Sequence, residues 1–150
     1  TTGGRGVLSF SVVDDTDGLY AWDHTLGSNT VRLARSQACL QWTAQGAVNL
    51  PCEATGYGNV LKDGSTYYLT ATALDYKSLY VFVSTDRINW TLHDTIGLSS
   101  ESWQSGWIAF PFLLKDGGNW YLYYTAAPNN GDGLNGQIGV AVLELKNTQL

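Results

Sequence analysis

The chain has 150 residues, 44% hydrophobic and only 14% charged, with 17 glycines, 3 prolines and a net charge of −5. That length and composition fit a single globular domain and exclude a disordered tail or a collagen-like rod. The 8 basic residues are nowhere clustered, which excludes a phosphate-tracking surface and with it nucleic acid as a partner. No run approaches the roughly 20 apolar residues of a spanning helix, so no membrane span is predicted. The sequence opens on Thr1-Thr2 and has no methionine, and it reads as a processed product or an excised piece. Low charge with abundant Thr, Ser, Tyr and Trp points to an extracellular or surface-displayed protein, secreted or on a virion.

An internal repeat organises the chain. Residues 13–50 lie over residues 61–98 without a gap at an offset of 48, placing Asp15 on Asp63, Tyr20 on Tyr68, Ser36 on Ser84, Trp42 on Trp90 and Leu50 on Leu98. A third copy starts at Leu114-Lys115-Asp116-Gly117, repeating Leu61-Lys62-Asp63-Gly64 at an offset of 53. Periods of this size signal blades or solenoid units. In chain order, the first copy opens on a hairpin at Asp17-Gly18. The second opens on a hairpin at Asp63-Gly64, followed by strands over 66–73 and 79–84 and a short fourth strand over 89–93. The third opens on a hairpin at Gly117-Gly118, carries the longer loop PNNGDGLNG, and resumes with a strand over 137–145. No window has a helical apolar period. The predicted fold is all-β: one β-propeller-like domain with an array of about three four-stranded antiparallel blades, near 6–50, 54–98 and 105–150.

Cys39 and Cys52 either form one disulfide in an oxidising compartment or sit as two buried thiols. With His24 and His93 far off they have no metal-ligand spacing, and neither a metal site nor a cofactor is predicted. Asp14-Asp15-Thr16-Asp17-Gly18 has the opening of a calcium loop without its later ligands. Asp15, Asp63 and Asp116 are repeat-equivalent and read as turn formers. Aromatics that the repeat preserves, Trp42 with Trp90 and Tyr20 with Tyr68 and Tyr121, read as packing between blades.

Trp22, Trp103 and Trp107 have no counterpart of their own kind, which makes them candidates for a surface role. Antiparallel reversal puts the loops 22–29, 74–77 and 128–136 on the same face as the inter-blade connections 51–58 and 99–107. That face would present Trp22, Asp23, His24, Asp75, Tyr76, Glu101, Trp103, Trp107, Asn130 and Asp132. Rings beside carboxylates and amides suit a glycan, whose C–H faces stack on indole while its hydroxyls bond to polar groups. The other reading of the same residues is ordinary loop structure, with Trp103 and Trp107 packed into a neighbouring blade or subunit.

The third copy, GWIAFPFLLKDGGNWYLYYTAAPNNGDGLNGQIGVAVLE, resembles a blade of the five-bladed propellers of family 43 and family 32 glycoside hydrolases. Ser84-Thr85-Asp86-Arg87-Ile88-Asn89-Trp90 resembles the S-x-D-G-x-x-W close of such blades. The resemblance implies catalytic carboxylates near the start of successive inner strands, the general acid being the Glu of a Glu-Gly-Pro motif. The matching tripeptide here is Ala109-Phe110-Pro111. Matched instead to an Ala-Pro-Asp strand, the acid position falls on Phe112. The repeat carries these positions to 56–59 and 8–11, where there is again no Asp or Glu. The expected function is therefore a non-catalytic carbohydrate-binding or surface-assembly propeller domain. One alternative is a segment or subunit of a family 43-like glycoside hydrolase whose remaining blades supply the carboxylates; another is a purely structural appendage or coat component. Three blades are too few to close a propeller, so other copies or a partner chain are expected to complete it.

Overall fold

The computed structural model describes residues 7–25, 30–128 and 136–144. These form three antiparallel sheets, one per repeat. The first runs in chain order through β1 (Val7–Asp15), β2 (Gly18–Thr25), β3 (Val31–Ser36) and β4 (Thr43–Ala47). In the second, β5 (Ala54–Thr55) and β6 (Val60–Asp63) both pair with β7 (Thr66–Ala73), which continues to β8 (Ser78–Ser84) and β9 (Thr91–Gly97). The third holds β10 (Trp107–Asp116), β11 (Asn119–Ala127) and β12 (Gln137–Leu143). Among the described residues the only helical element is a 3-10 turn, Ser102–Gln104. The hairpins after β6 and β10 have two-residue loops, because Asp63 pairs with Thr66 and Asp116 with Asn119. Gly64 and Gly117 occupy them at φ +59° and +57°, a left-handed turn that glycine enters without a Cβ penalty.

The sheets stack face to face, and the period-2 alternation of strands sorts side chains between two cores. Tyr67, Leu69, Ala71 and Phe82 of the middle sheet pack with Tyr20, Trp22 and Leu33 of the first. Tyr68, Leu79, Val81 and Val83 pack on the other side with Ile108, Leu113, Trp120 and Leu122 of the third. The middle blade is therefore covered on both faces, and β7 is buried at every position after Thr66.

The inner strands are also clasped by polar contacts that recur with the repeat. Ser11 Oγ accepts from Val60 N at 2.9 Å and donates to Val60 O at 3.3 Å. Asn59, its equivalent, accepts from Leu113 N at 2.7 Å and donates to Leu113 O at 2.8 Å. The turn acids Asp15 and Asp63 reach across the same interfaces, to Lys62 and Lys115, each at 2.5 Å.

The fourth strand of the second blade starts at Thr91 rather than 89, because 84–90 closes as a tight turn. Ser84 Oγ accepts from the backbone N–H of Asp86 (3.2 Å) and of Arg87 (2.9 Å). Asp86 Oδ1 accepts from Ile88 N and Asn89 N, and Oδ2 from Asn89 Nδ2. Those donors from Asn89 and Ile88 lower the Asp86 carboxyl to about 2. Arg87 takes the place of the motif's glycine at φ +73°, and Trp90 Nε1 donates to its carbonyl at 3.2 Å. The first blade repeats the turn with fewer bonds. Ala38 N donates to Ser36 Oγ, Cys39 stands in the left-handed position at φ +63°, and Trp42 Nε1 donates to Cys39 O at 2.8 Å.

This turn corrects two expectations. The disulfide is absent: both thiols are free, Cys39 exposed and Cys52 partly buried. Cys39 is in the turn before β4 and Cys52 lies beyond its far end, so a five-residue strand of about 17 Å separates them, against roughly 7 Å that a disulfide spans. Trp42 is not core but 40% exposed, whereas Trp90 is buried against Trp22 of the preceding blade. Trp42 has no blade before it among the described residues to pack on.

The left-handed Arg87 yields a test. Its guanidinium lies 4.1 Å over the Tyr20 ring and pairs with Asp15 at 3.3 Å and Asp17 at 3.0 Å. Arg87→Ala loses those contacts and keeps a Cβ at positive φ; Arg87→Gly loses them and relieves the backbone, by about 1 kcal/mol. Urea midpoints are expected to fall in the order wild type, Gly, Ala. Equal midpoints for the two variants would show that no backbone strain resides there.

Candidate functional site

The inner strands β1, β6 and β10 contact one another in series, and each is irregular where it begins. β1 is bulged between Val7 and Ser9 and β10 between Ala109 and Phe112, while in the second blade pairing with β7 is interrupted between Thr55 and Val60. These are the positions at which the resemblance expects carboxylates. Phe110 has φ +56°, the conformation that the middle glycine of Glu-Gly-Pro would favour, which supports setting Ala109 at the acid position. Ala109 is buried and Phe112 exposed. The bulge leaves β10 backbone groups that β11 does not reach, and the preceding blade satisfies them. Phe110 N donates to Thr72 Oγ1 at 3.2 Å, and Thr70 Oγ1 donates to Pro111 O at 3.3 Å. Ser9, Ser11, Tyr57, Gly58 and Asn59 fill the equivalent stretches of the other two blades, with no acid among them.

The turn between β7 and β8 meets the connection that leads into β10, as the strand reversal requires. Tyr76, at φ +58°, accepts Ile108 N on its carbonyl at 2.9 Å, and Lys77 Nζ donates to Gly106 O. Asp75 and Tyr76 are exposed on this turn, with Asp75 Oδ1 accepting from Lys77 N at 2.9 Å. On the connection, Glu101 is exposed while Trp103 and Trp107 are half-buried. The Trp103 ring stacks on Tyr124, centroids 6.3 Å apart and planes 9° from parallel, and Tyr124 Oη donates to Gln104 Oε1. Five of the ten expected site residues, Asp75, Tyr76, Glu101, Trp103 and Trp107, therefore lie on this turn and connection.

The others do not join them. Trp22 and His24 are only 2% and 3% exposed, so the expected surface role of Trp22 is corrected. β2 is a central strand, and its side chains at 20, 22 and 24 face the second blade: Trp22 contacts Tyr67 and Trp90, and the His24 ring is 4.8 Å from that of Tyr57. The hollow bordered by Ser9, Trp22, His24 and Tyr57 is about 10 Å³, room for one water at most and not for a sugar. Burial, with Cys52 and Glu53 nearby, pushes the Tyr57 phenol up to about 12. Asp23 points away from this interface and pairs with Arg32 at 2.6 Å. Asn130 and Asp132 lie outside the described residues. Sequence reasoning passed over the Ser11 and Asn59 clasps, although the offset of 48 that aligns two polar residues on an inner strand was a signal for them.

Among the described residues no three His, Cys, Asp or Glu side chains gather as a metal site, and no helix is long and apolar enough to cross a membrane.

Solved structures share this fold. A Bombyx mori GH32 beta-fructofuranosidase superposes with a TM-score of 0.66 at 17% identity, covering 95% of this chain and 35% of that one. The Fusarium graminearum alpha-L-arabinofuranosidase Arb93A, complexed with an iminosugar inhibitor, gives 0.65 at 13% identity, covering 93% and 45%. A Penicillium chrysogenum alpha-L-arabinanase complexed with arabinobiose gives 0.61 at 16% identity, covering 94% and 47%. The chain thus spans between about a third and a half of the length of these structures. No curated protein sequence matches it. Residues 58–146, more than half of the sequence, match glycosyl hydrolases family 43, and the chain belongs to that family.

Proposed function

We propose that the chain contributes three blades to a family 43 glycoside hydrolase propeller. In this reading it presents a glycan-contacting end through Asp75, Tyr76, Glu101, Trp103 and Trp107, and blades beyond this sequence supply the acid and base. The observation that carries the proposal is Ala109. The β10 start has the left-handed residue and proline that fit the family's motif, yet a methyl group stands where a proton donor belongs. Glycoside hydrolysis needs two carboxylates roughly 5 to 9.5 Å apart, and the described inner-strand starts offer none. Half-buried indoles fixed in place, as Trp103 is by stacking on Tyr124, offer a rigid flat surface to a sugar's C–H face. Exposed Asp75 and Glu101 are acceptors for its hydroxyls.

The named substrates of the fold neighbours, arabinofuranosides and fructofuranosides, make five-membered-ring sugars the first probes. The chain alone is expected to leave an aryl α-L-arabinofuranoside intact while arabinan retards it in a native gel. Trp103→Ala and Trp107→Ala are expected to weaken the retardation about fivefold or more, the loss of one stacking ring. Turnover by the chain alone, abolished in Glu101→Gln or Asp75→Asn, would overturn the division of labour. Ala109 also favours a second reading, a wholly non-catalytic carbohydrate-binding propeller on an extracellular surface. That reading requires a propeller completed by its missing blades to bind arabinan and still not cleave it.

A further inference from the structure

The two interfaces between blades are the same device, one repeat apart. Residues 11, 13 and 15 face forward onto the next blade, as do 59, 61 and 63. Residues 60 and 62 receive from the blade before, as do 113 and 115. The paired contacts are Asp15 with Lys62 and Asp63 with Lys115, and Ser11 with Val60 and Asn59 with Leu113. One repeat further on, the forward face of the third sheet falls on Phe112, Leu114 and Asp116. One repeat back, the receiving face of the first sheet falls on Val12 and Asp14. The forward face is apolar and uncovered. Phe112, Tyr123 and Val140 form one cross-strand row and Leu114, Tyr121 and Val142 the next, with Val142 68% and Phe112 52% exposed.

We infer that this face is the docking surface of a further propeller blade whose inner strand carries a lysine or arginine opposite Asp116, and that a second copy of this chain does not fill it. The charges decide between those occupants. A second copy would present its first blade, which has Asp14 at the position of Lys62 and Lys115. Two carboxylates would then meet where the existing interfaces bring Lys and Asp to 2.5 Å, and like charges so placed reject a partner. Phe112 stands at the position of Ser11 and Asn59, so the docking blade loses one polar clasp and rests on the apolar rows and the Asp116 ion pair.

The inference rests on the interfaces and not on glycan binding, and its test reads association alone. Asp14→Lys turns the first blade into the lysine-bearing occupant, so that a second copy becomes the probe. In sedimentation velocity at low salt, this variant is expected to self-associate about tenfold more tightly than the wild type, the steering and pairing that one complementary charge adds. Adding Asp116→Lys, or raising the salt to about 0.5 M, is expected to return it to wild-type behaviour. Asp14 is exposed, and circular dichroism verifies that each variant is folded. A wild type that already forms head-to-tail assemblies unaffected by Asp14→Lys overturns the inference. So does a folded Asp14→Lys variant that gains no affinity, or whose gain survives Asp116→Lys.

Discussion

Alanine at position 58 is expected to destabilise the protein by about 3 kcal/mol or more, the upper range for overpacking against a rigid neighbour. A Cβ there would lie 1.9 Å from Pro111 O and 2.3 Å from Thr70 Oγ1. The threonine can rotate away. The carbonyl cannot, because Pro111 is held in the β10 bulge between left-handed Phe110 and the register that restarts at Phe112. Relief requires β10 to back away from β6 and β7, which opens the core formed by Leu79, Val81, Leu113 and Leu122 and breaks the Asn59 clasp on Leu113. Gly64→Ala is the control. Its added Cβ meets nothing within 4 Å, so it bears only the left-handed penalty at φ +59°, about 1 kcal/mol. Equal losses in urea midpoint for the two variants would show that the close approach of β6 to β10 is not a feature of the folded protein.

Gly58 also shows what the sequence could and could not reveal. The repeat made the fold legible because hairpin turns and strand starts recur at fixed offsets: Gly18 and Thr66 open equivalent strands, as do Thr43 and Thr91. What lies between strands was less legible, since a turn that keeps its hydrogen bonds can change its residues. Cys39 and Arg87 do one backbone job with unrelated side chains, so a cysteine suggested a disulfide where the chain needed a left-handed residue. For the candidate site, a tryptophan that breaks the repeat was read as functional. At Trp103 and Trp107 that reading leads to half-exposed rings. At Trp22 it fails, because the interface between the first two blades is filled by large rings, while the equivalent Thr70 is spent on a hydrogen bond to Pro111 of β10. Only the packing of neighbouring blades distinguishes the two cases, and a single blade's sequence does not contain it. Asp15 and Asp63 were read as local turn formers and bridge blades as well, which makes Asp15 more consequential than its turn position suggests.

Asp15→Asn is expected to cost about 3 kcal/mol at neutral pH, the lower end for breaking a buried ion pair on one side. The carboxylate is 4% exposed and receives Lys62 at 2.5 Å, Arg87 at 3.3 Å, the Tyr67 hydroxyl and Thr16 N at 2.8 Å. Burial alone would raise its pKa. The hydrogen bonds from Lys62, Tyr67 and Thr16, with the Lys62 charge, outweigh that and hold it far below the usual carboxylate range. Because the folded-state value is depressed, the stabilisation is complete above the unfolded value near 4 and drains away as pH falls below it. The wild type should therefore lose stability steeply below about pH 4, while Asp15→Asn, already lacking the contribution, declines along a shallower slope set by Asp86 near 2. The alkaline side has the opposite sign. Burial and the bond to Asp15 push the Tyr67 phenol up to about 12, so its contribution is intact below the unfolded value of 10 and drains away as pH rises from there through about 12. Without the Asp15 acceptor anion the Tyr67 phenol falls back toward its ordinary value, and part of that alkaline loss disappears. Urea midpoints at pH 7, 4 and 3, and a spectroscopic tyrosine titration of both proteins, test this. Parallel acid profiles for wild type and variant would mean that Asp15 does not hold the first two blades together through its charge.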